Sequence, residues 1–158
     1  MLNIVTGRIN SSKTTKITDI YNSLNKGDGF VSLKNMKGHL VHSYDVLRLA
    51  TNEKRRLVIR DIYNEDKEEV CCQIGPYLFS TKIVGYIEDT LRELITNKIS
   101  PLFLDEVGLL ELENLCFHNI FTEMLDSGLD IFVTIRKDLL EKIIEKYKIK
   151  EYNLIDVD

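Results

Sequence analysis

The sequence has few of the residues that mark several protein classes. It has no tryptophan, two prolines and three cysteines in 158 residues, and Cys71 and Cys72 are adjacent. An odd and sparse set of cysteines argues against a disulfide framework and favours free thiols in a reducing compartment. Because no cysteine–histidine spacing matches that of metal ligands, we expect no metal site at these cysteines.

Long apolar runs are also missing. No run approaches the roughly 20 residues that a helix needs to cross a bilayer. Met1 leads into a short apolar run that ends at Gly7, which is not the pattern of a signal peptide. The net charge of -4 and the sequence pI of about 5.5 give no overall attraction to nucleic acid or to an anionic membrane. We therefore expect a cytoplasmic protein with no membrane or nucleic-acid partner.

The remaining composition is ordinary for a globular protein, with 44% hydrophobic and 29% charged residues. Domains typically have roughly 100–200 residues, so the length corresponds to about one domain. The sequence contains no internal repeat, low-complexity tract or interdomain linker. We expect residues 1–158 to form a single domain.

Hydrophobic periodicity alternates between strands and helices along the chain. Apolar or period-two runs predict strands at residues 2–6, 30–33, 41–49, 57–59, 101–104, 130–135 and 152–155. Apolar residues at spacings of three and four predict helices at residues 13–24, 81–96, 114–127 and 138–147, the last with a start signal at Asp138 and Glu141. This alternation predicts an α/β fold with a mostly parallel sheet and an antiparallel insert after the first helix.

The strongest local pattern is a glycine-led loop between the first predicted strand and the first predicted helix. It matches G-x-x-x-x-G-K-[ST] at every fixed position but one, and its residues are Gly7, Arg8, Ile9, Asn10, Ser11, Ser12, Lys13, Thr14 and Thr15. In such a loop, backbone N–H groups and the helix N-terminus point at phosphates. The lysine reaches the β- and γ-phosphates, and the Ser or Thr hydroxyl binds Mg²⁺. We predict that this phosphate loop (residues 7–15) binds a nucleotide, with Lys13 catalytic and Thr14 a metal ligand.

Ser12 stands where the pattern has its second glycine. Glycine at that position avoids a side chain where the backbone approaches the phosphates. Serine is small, however, and its hydroxyl could cap the following helix. Two interpretations stay open at this point: a working phosphate loop, and an ordinary strand–turn–helix junction with a chance Lys-Thr pair.

An acidic pair, Asp105 and Glu106, directly follows the apolar run at residues 101–104. Two carboxylates at the end of a buried strand are costly to desolvate without a cation. We predict that Asp105 holds Mg²⁺ and that Glu106 orients or deprotonates an attacking water. A strand that ends in two solvated acids is the alternative. The order of loop and acids, each at the end of an apolar strand, favours the Walker A and Walker B pair of a P-loop enzyme.

The stretch Asp105-Glu106-Val107-Gly108-Leu109-Leu110-Glu111-Leu112 resembles the D-E-[IV]-G-x-[ML]-E-L signature of the small nucleoside-triphosphatases first described from thermophiles. Residues 4–8, 29–30, 44–46 and 126–134 are similar to other parts of that family. The resemblance implies a three-layer, RecA-like P-loop fold. It also implies Mg²⁺-dependent hydrolysis of ATP, GTP and other nucleoside triphosphates to diphosphate and phosphate.

The chain departs from the family pattern at Ser12 and after Thr134. Family members often carry a His and an Arg there, whereas this chain has Ile135, Arg136 and Lys137. We predict that Arg136 brings positive charge to the γ-phosphate. Lys137 could bring it instead, or both residues could simply be surface charges before a helix. Glu111 matches the signature, but the sequence gives it no physical role.

Two other functions stay open. One is a nucleoside or nucleotide kinase on the same fold, which is disfavoured because no arginine-rich lid segment lies between the two motifs. The other is a nucleotide-binding module with little or no turnover because of Ser12.

Overall fold

The computed structural model describes all 158 residues and contains one nine-stranded mixed sheet. The strands are β1 (Leu2–Gly7), β2 (Asp28–Lys37), β3 (Leu40–Arg48), β4 (Lys54–Arg60), β5 (Val70–Ile74), β6 (Tyr77–Ser80), β7 (Leu102–Leu104), β8 (Ile131–Arg136) and β9 (Asn153–Asp156). The α-helices are α1 (Lys13–Leu24), α2 (Thr81–Thr96), α3 (Leu109–Leu112), α4 (His118–Asp126) and α5 (Leu140–Lys146). The order across the sheet is β5-β6-β4-β3-β2-β7-β8-β1-β9.

The sheet has a parallel half and an antiparallel half. Four pairings are parallel, from β2 through β7, β8 and β1 to β9. Four are antiparallel, from β2 through β3, β4 and β6 to β5. The prediction of a mostly parallel sheet is therefore wrong, and the predicted antiparallel hairpin insert after the first helix is not confirmed in that form. The antiparallel strands continue the same sheet, because β3 pairs with β2, which itself pairs in parallel with β7.

Both faces of the sheet are covered by helices. On one face, Phe103 of β7 and Val31 of β2 pack with Ile17 of α1. On the other face, a larger core joins the strands to α2 and α4 through residues such as Ile87 and Phe121. Since β7 is covered on both sides, all three of its residues are apolar and buried. Each fully buried side chain of this size contributes roughly 1.5–3 kcal/mol of transfer free energy.

The predicted helix at residues 13–24 is confirmed with the same bounds, and it ends at Asn25, whose φ of 51° is left-handed. The predicted helix at residues 114–127 begins later, at His118, because Asn114 and Cys116 adopt φ values of 61° and 54°. The predicted helix at residues 138–147 starts as a 3-10 turn with no side-chain cap. The β5–β6 hairpin was not predicted.

None of the helices could cross a bilayer. The longest, α2, has 16 residues, which is shorter than the roughly 20 that a membrane span requires.

Gly29 lies where β2 pairs closely with β7. Its φ is +151°, and a Cβ at this position would overlap the backbone nitrogen and carbonyl oxygen of Phe103. Gly29 and Phe103 are direct partners in the parallel ladder, so neither can move aside without breaking it. We expect Gly29→Ala to lower the free energy of unfolding by about 2 kcal/mol or more, as measured by urea denaturation.

Gly85→Ala is the matched control. Gly85 lies inside α2, and apart from the adjacent backbone of that helix no atom lies within 4 Å of the point where an alanine methyl group would project. Alanine should therefore raise the free energy of unfolding by up to about 1 kcal/mol. Equal stabilities of the two variants would contradict the close approach of β2 and β7.

Candidate functional site

The predicted site residues lie at the edge of the sheet where the parallel strands β1, β7 and β8 end, as expected for ligand sites in α/β sheets. A cavity of about 660 Å³ opens there. The predicted site residues that line it are Ile9, Asn10, Ser11, Lys13, Thr14, Asp105, Glu106 and Arg136. The other four residues of the phosphate loop do not line it; they are Gly7, Arg8, Ser12 and Thr15.

The phosphate loop is held in a tight turn. The backbone N–H of Ser11 donates to the carbonyl of Arg8 over 3.1 Å. Lys13 Nζ donates to the same carbonyl over 2.7 Å and to Ser11 Oγ over 3.2 Å. Asn10 has a φ of 60°, a conformation that asparagine tolerates better than most residues. The ammonium group of Lys13 therefore lies across the loop at the cavity wall.

Ser12 does not need the conformational freedom of glycine. Its φ is -84° and its ψ is 37°, and its side chain is exposed. Its hydroxyl makes no capping hydrogen bond to α1, so the suggested cap is wrong. The backbone at this position is thus one that an ordinary side chain can adopt.

Asp105 receives hydrogen bonds from three different elements. Thr14 Oγ1 of α1 donates to Asp105 Oδ2 over 2.7 Å, and the backbone N–H of Ser32 in β2 donates to the same oxygen over 2.9 Å. Thr134 Oγ1 of β8 donates to Oδ1. Asp105 is 7% exposed; burial raises the pKa of its carboxyl, while these three hydrogen bonds lower it.

The donor set at Thr14 and Asp105 suits Mg²⁺. The hydroxyl and the carboxylate are hard oxygen ligands, and 2.7 Å between them is close enough for one ion to bind both after a small adjustment. No group of three or more His, Cys, Asp or Glu side chains could hold a metal by itself. Mg²⁺ is commonly bound by one or two protein ligands together with substrate phosphates and water, so the sparse set fits it.

Glu106 follows Asp105 but points elsewhere. Its φ of 64° turns the chain away from β7, and its N–H donates to Thr134 Oγ1 over 2.6 Å. Its side chain reaches solvent inside the cavity. The pKa of Glu106 is raised by enclosure within the cavity walls and by the charge of Asp105. The positive charges of Lys13 and Lys34 lower it, and solvent screens part of these effects.

Arg136, at the end of β8, lines the cavity while it is paired with Asp138. Its Nε and Nη2 donate to the two carboxylate oxygens over 2.6 and 2.9 Å. A guanidinium group has five N–H donors, so three are not used by the bonds to Asp138. Lys137 does not line the cavity, and its ammonium pairs with Asp156 over 2.8 Å. Of the two cations weighed from the sequence, Arg136 is therefore the one at the site.

Three residues at the site were not singled out from the sequence. Thr134 bridges Asp105 and Glu106, Ser32 donates to Asp105, and Lys34 Nζ donates to Asn10 Oδ1 over 3.2 Å. Thr134 is a polar residue inside an apolar run, which is a usable signal, but its partner follows only from the parallel pairing of β7 with β8. Ser32 and Lys34 lie in β2, where the sequence contains no comparable signal.

Glu111 has a structural role. It is 2% exposed, and its two carboxylate oxygens accept hydrogen bonds from the N–H groups of Gly108, over 2.7 Å, and Phe117, over 3.1 Å. These bonds hold the backbone on both sides of α3, at Gly108 and at Phe117, to the side chain of Glu111. Burial raises the pKa of Glu111 to about 7, although both N–H donors lower it. The last acid of the signature thus fixes the backbone beside the acidic pair.

A glycine-led loop between a strand and a helix, facing a buried aspartate at the end of a parallel strand, defines the class of P-loop nucleotide-binding proteins. The sequence model of the family described as NTPase matches residues 3–158. The chain belongs to this family.

Two solved structures resemble the chain over nearly its whole length. THEP1 from the hyperthermophile Aquifex aeolicus is 17% identical, with a TM-score of 0.72 over 99% of this chain and 90% of that one. The solution structure of a human cancer-related nucleoside triphosphatase is 20% identical, with a TM-score of 0.67 over 99% of this chain and 88% of that one. At these identities the likeness establishes the fold. No curated protein matches the sequence.

Glu111→Gln tests the structural role of the buried acid. The amide nitrogen of glutamine cannot accept a hydrogen bond, so the N–H of Gly108 or Phe117 loses its partner. We expect the free energy of unfolding to fall by roughly 1–3 kcal/mol near pH 5. Glu113→Gln, an exposed change of the same kind nearby, should leave it within about 0.5 kcal/mol.

The difference between native protein and Glu111→Gln should also depend on pH. In the folded state the pKa of Glu111 is about 7, above the value of about 4.3 in the unfolded chain. At pH values between these two, the folded protein therefore binds one more proton than the unfolded chain. That contribution is present at low pH and is lost as the pH rises through 7. The difference in free energy of unfolding between the two proteins should therefore narrow from about pH 5 to pH 7. Both proteins contain the other titratable groups that face Glu111, which are Cys72, Cys116 and Tyr147. A gap that widens over this range would contradict the raised pKa.

Proposed function

We propose that the chain is a Mg²⁺-dependent nucleoside-triphosphatase that hydrolyses ATP, GTP and other nucleoside triphosphates to diphosphate and phosphate. The observation that carries the proposal is the 2.7 Å contact between Thr14 Oγ1 and Asp105 Oδ2, in the cavity that Lys13 and Glu106 also line. Membership of the NTPase family supports it. So does the likeness to a protein described as a human nucleoside triphosphatase.

The phosphates would bind at the phosphate loop. Backbone N–H groups of residues 7–15 and the positive end of α1, a helix of 12 residues, would hold their oxygens. Lys13 would exchange its contacts with Arg8 and Ser11 for the β- and γ-phosphates. Arg136 would add positive charge through its free N–H donors.

The metal and the water would lie on the acidic side of the phosphates. Thr14 and Asp105 would hold Mg²⁺, which neutralises charge on the phosphate oxygens. Glu106, whose side chain reaches into the open cavity, would orient a water and accept its proton as the water attacks the γ-phosphorus. Asp105 is too fully occupied by its three donors to take that second role.

Glu106→Gln tests the role of the base. We expect phosphate release from ATP and GTP to fall by about a hundredfold or more, because the amide cannot accept a proton. The affinity for a non-hydrolysable ATP analogue should change by no more than about threefold.

Glu113→Gln is the control, since Glu113 is exposed and outside the cavity lining. Parallel reactions with EDTA should release no phosphate, which tests the metal. Undiminished turnover in Glu106→Gln would remove the role given to this residue.

Ser12→Gly separates a working phosphate loop from a module without turnover. Ser12 is exposed and its backbone φ of -84° does not demand glycine. We expect kcat for phosphate release to stay within about threefold of the native value, a barrier change below about 1 kcal/mol. A hundredfold gain would show instead that serine disables the native loop, which favours the module.

A further inference from the structure

The cavity extends well past the acidic pair. Its volume of about 660 Å³ is in the range that holds a drug-sized ligand. Beyond Glu106 it is bounded by an aromatic wall, which consists of Tyr44 of β3, Tyr77 and Phe79 of β6, and Phe117. None of these four residues belongs to the phosphate loop or to the acidic pair.

The strand order decides which end of a nucleotide faces the aromatic wall. β1 leads into the phosphate loop, β7 ends at Asp105 and Glu106, and β3 and β6 lie farther along the sheet on the far side of β7. A terminal phosphate held by Lys13 and by the ligands Thr14 and Asp105 therefore lies between the loop and the wall. Since the base is attached at the other end of the phosphate chain, the wall faces the γ-phosphorus.

The position opposite the leaving oxygen is where an acceptor must lie in an in-line phosphoryl transfer. In the proposed hydrolysis a water occupies that position, next to Glu106. The volume behind it would allow a larger hydroxyl compound to occupy the same place.

Contacts with one another and with Arg60 hold the rings of the aromatic wall, and the Arg60 guanidinium lies over the Tyr77 ring, 5.2 Å from its centroid. Tyr44 and Tyr77 meet edge to face, with ring centroids 5.7 Å apart and planes at 73°. Arg60, which does not line the cavity, fixes Tyr77 from outside by a 3.3 Å hydrogen bond to its hydroxyl. Tyr44, Tyr77 and Phe79 are only half-buried, so part of each ring is open to a ligand. Such rings stack on planar bases and sugars.

No free cation is left at the wall for a charged acceptor. The cations that line the cavity are Lys13, Lys34 and Arg136. Lys34 pairs with Tyr44 across β2 and β3, but its ammonium is bonded to Asn10, and Arg136 is bonded to Asp138. A phosphate-bearing acceptor would therefore bring its charge to the acidic pair beside cations that are already bonded elsewhere, whereas a neutral ring compound brings no charge. The missing arginine-rich lid disfavours only an acceptor that carries phosphate.

We propose that the aromatic wall is the acceptor site for a neutral, hydroxylated ring compound of nucleoside size, and that the protein transfers the γ-phosphoryl group to its hydroxyl. The hydroxyl oxygen bonds to the γ-phosphorus and its proton passes to Glu106. The bond from the γ-phosphorus to the bridging oxygen breaks, and that oxygen leaves with the nucleoside diphosphate. The products are a phosphate monoester and the diphosphate. This inference rests on the proposed function, since both use the same γ-phosphate and Glu106.

The test uses ATP labelled at the γ-phosphate, Mg²⁺, and the common ribonucleosides and deoxyribonucleosides as probes. We expect label on at least one nucleoside. Tyr77→Leu removes a ring of the wall and should lower this transfer by about tenfold or more, the loss of one stacking contact. Phosphate release without nucleoside should stay within about twofold. Tyr63→Leu, which changes a tyrosine outside the cavity lining, should alter neither activity.

The outcomes separate the two proposals. The acceptor site would be overturned, and hydrolysis left intact, by two results together. Phosphate would be released without labelled nucleoside, and nucleosides would give no saturation-transfer NMR signal in the presence of a non-hydrolysable ATP analogue. Labelled product that Tyr77→Leu does not reduce would overturn the placement at the aromatic wall. Absence of both phosphate release and ATP binding would overturn the proposed function itself.

Discussion

The buried carboxylate of Asp105 is the contact on which the arrangement of the site depends. Thr14 of α1, Ser32 of β2 and Thr134 of β8 all donate hydrogen bonds to it. Burying a carboxylate costs several kcal/mol unless such donors compensate, so the three elements are held to one position. The distance from the phosphate loop to the acidic pair is therefore set by a direct bond between α1 and Asp105.

The same cluster gives two adjacent acids different environments. Thr134 donates to Asp105 with its hydroxyl hydrogen and accepts the N–H of Glu106 on the same oxygen. The left-handed backbone at Glu106 then turns its side chain out of the cluster and into the open cavity. Glu111 supports this turn from the other side through Gly108. One carboxylate is saturated by donors, and the next faces the open cavity.

Local features of the fold and the site could be predicted from the sequence, but pairings could not. The bounds of α1 follow from the loop before it and from Asn25 after it. The phosphate loop and the acidic pair were visible because each ends an apolar strand. Ser32 and Thr134 were not, since their role exists only after β7 pairs with β2 and β8. Periodicity does not say which strands become neighbours, and for that reason the sheet was wrongly predicted as mostly parallel.

The antiparallel half of the sheet is also what encloses the cavity. Its strands β3 and β6 carry Tyr44 and Tyr77, which line the cavity together with Glu106. The phosphate loop and the acidic pair thus follow strands of the parallel half, and the aromatic wall is built mainly by the antiparallel half. Since the bond between Thr14 and Asp105 involves no residue of β3 to β6, side chains of those strands can change what enters that space without removing either partner of the bond.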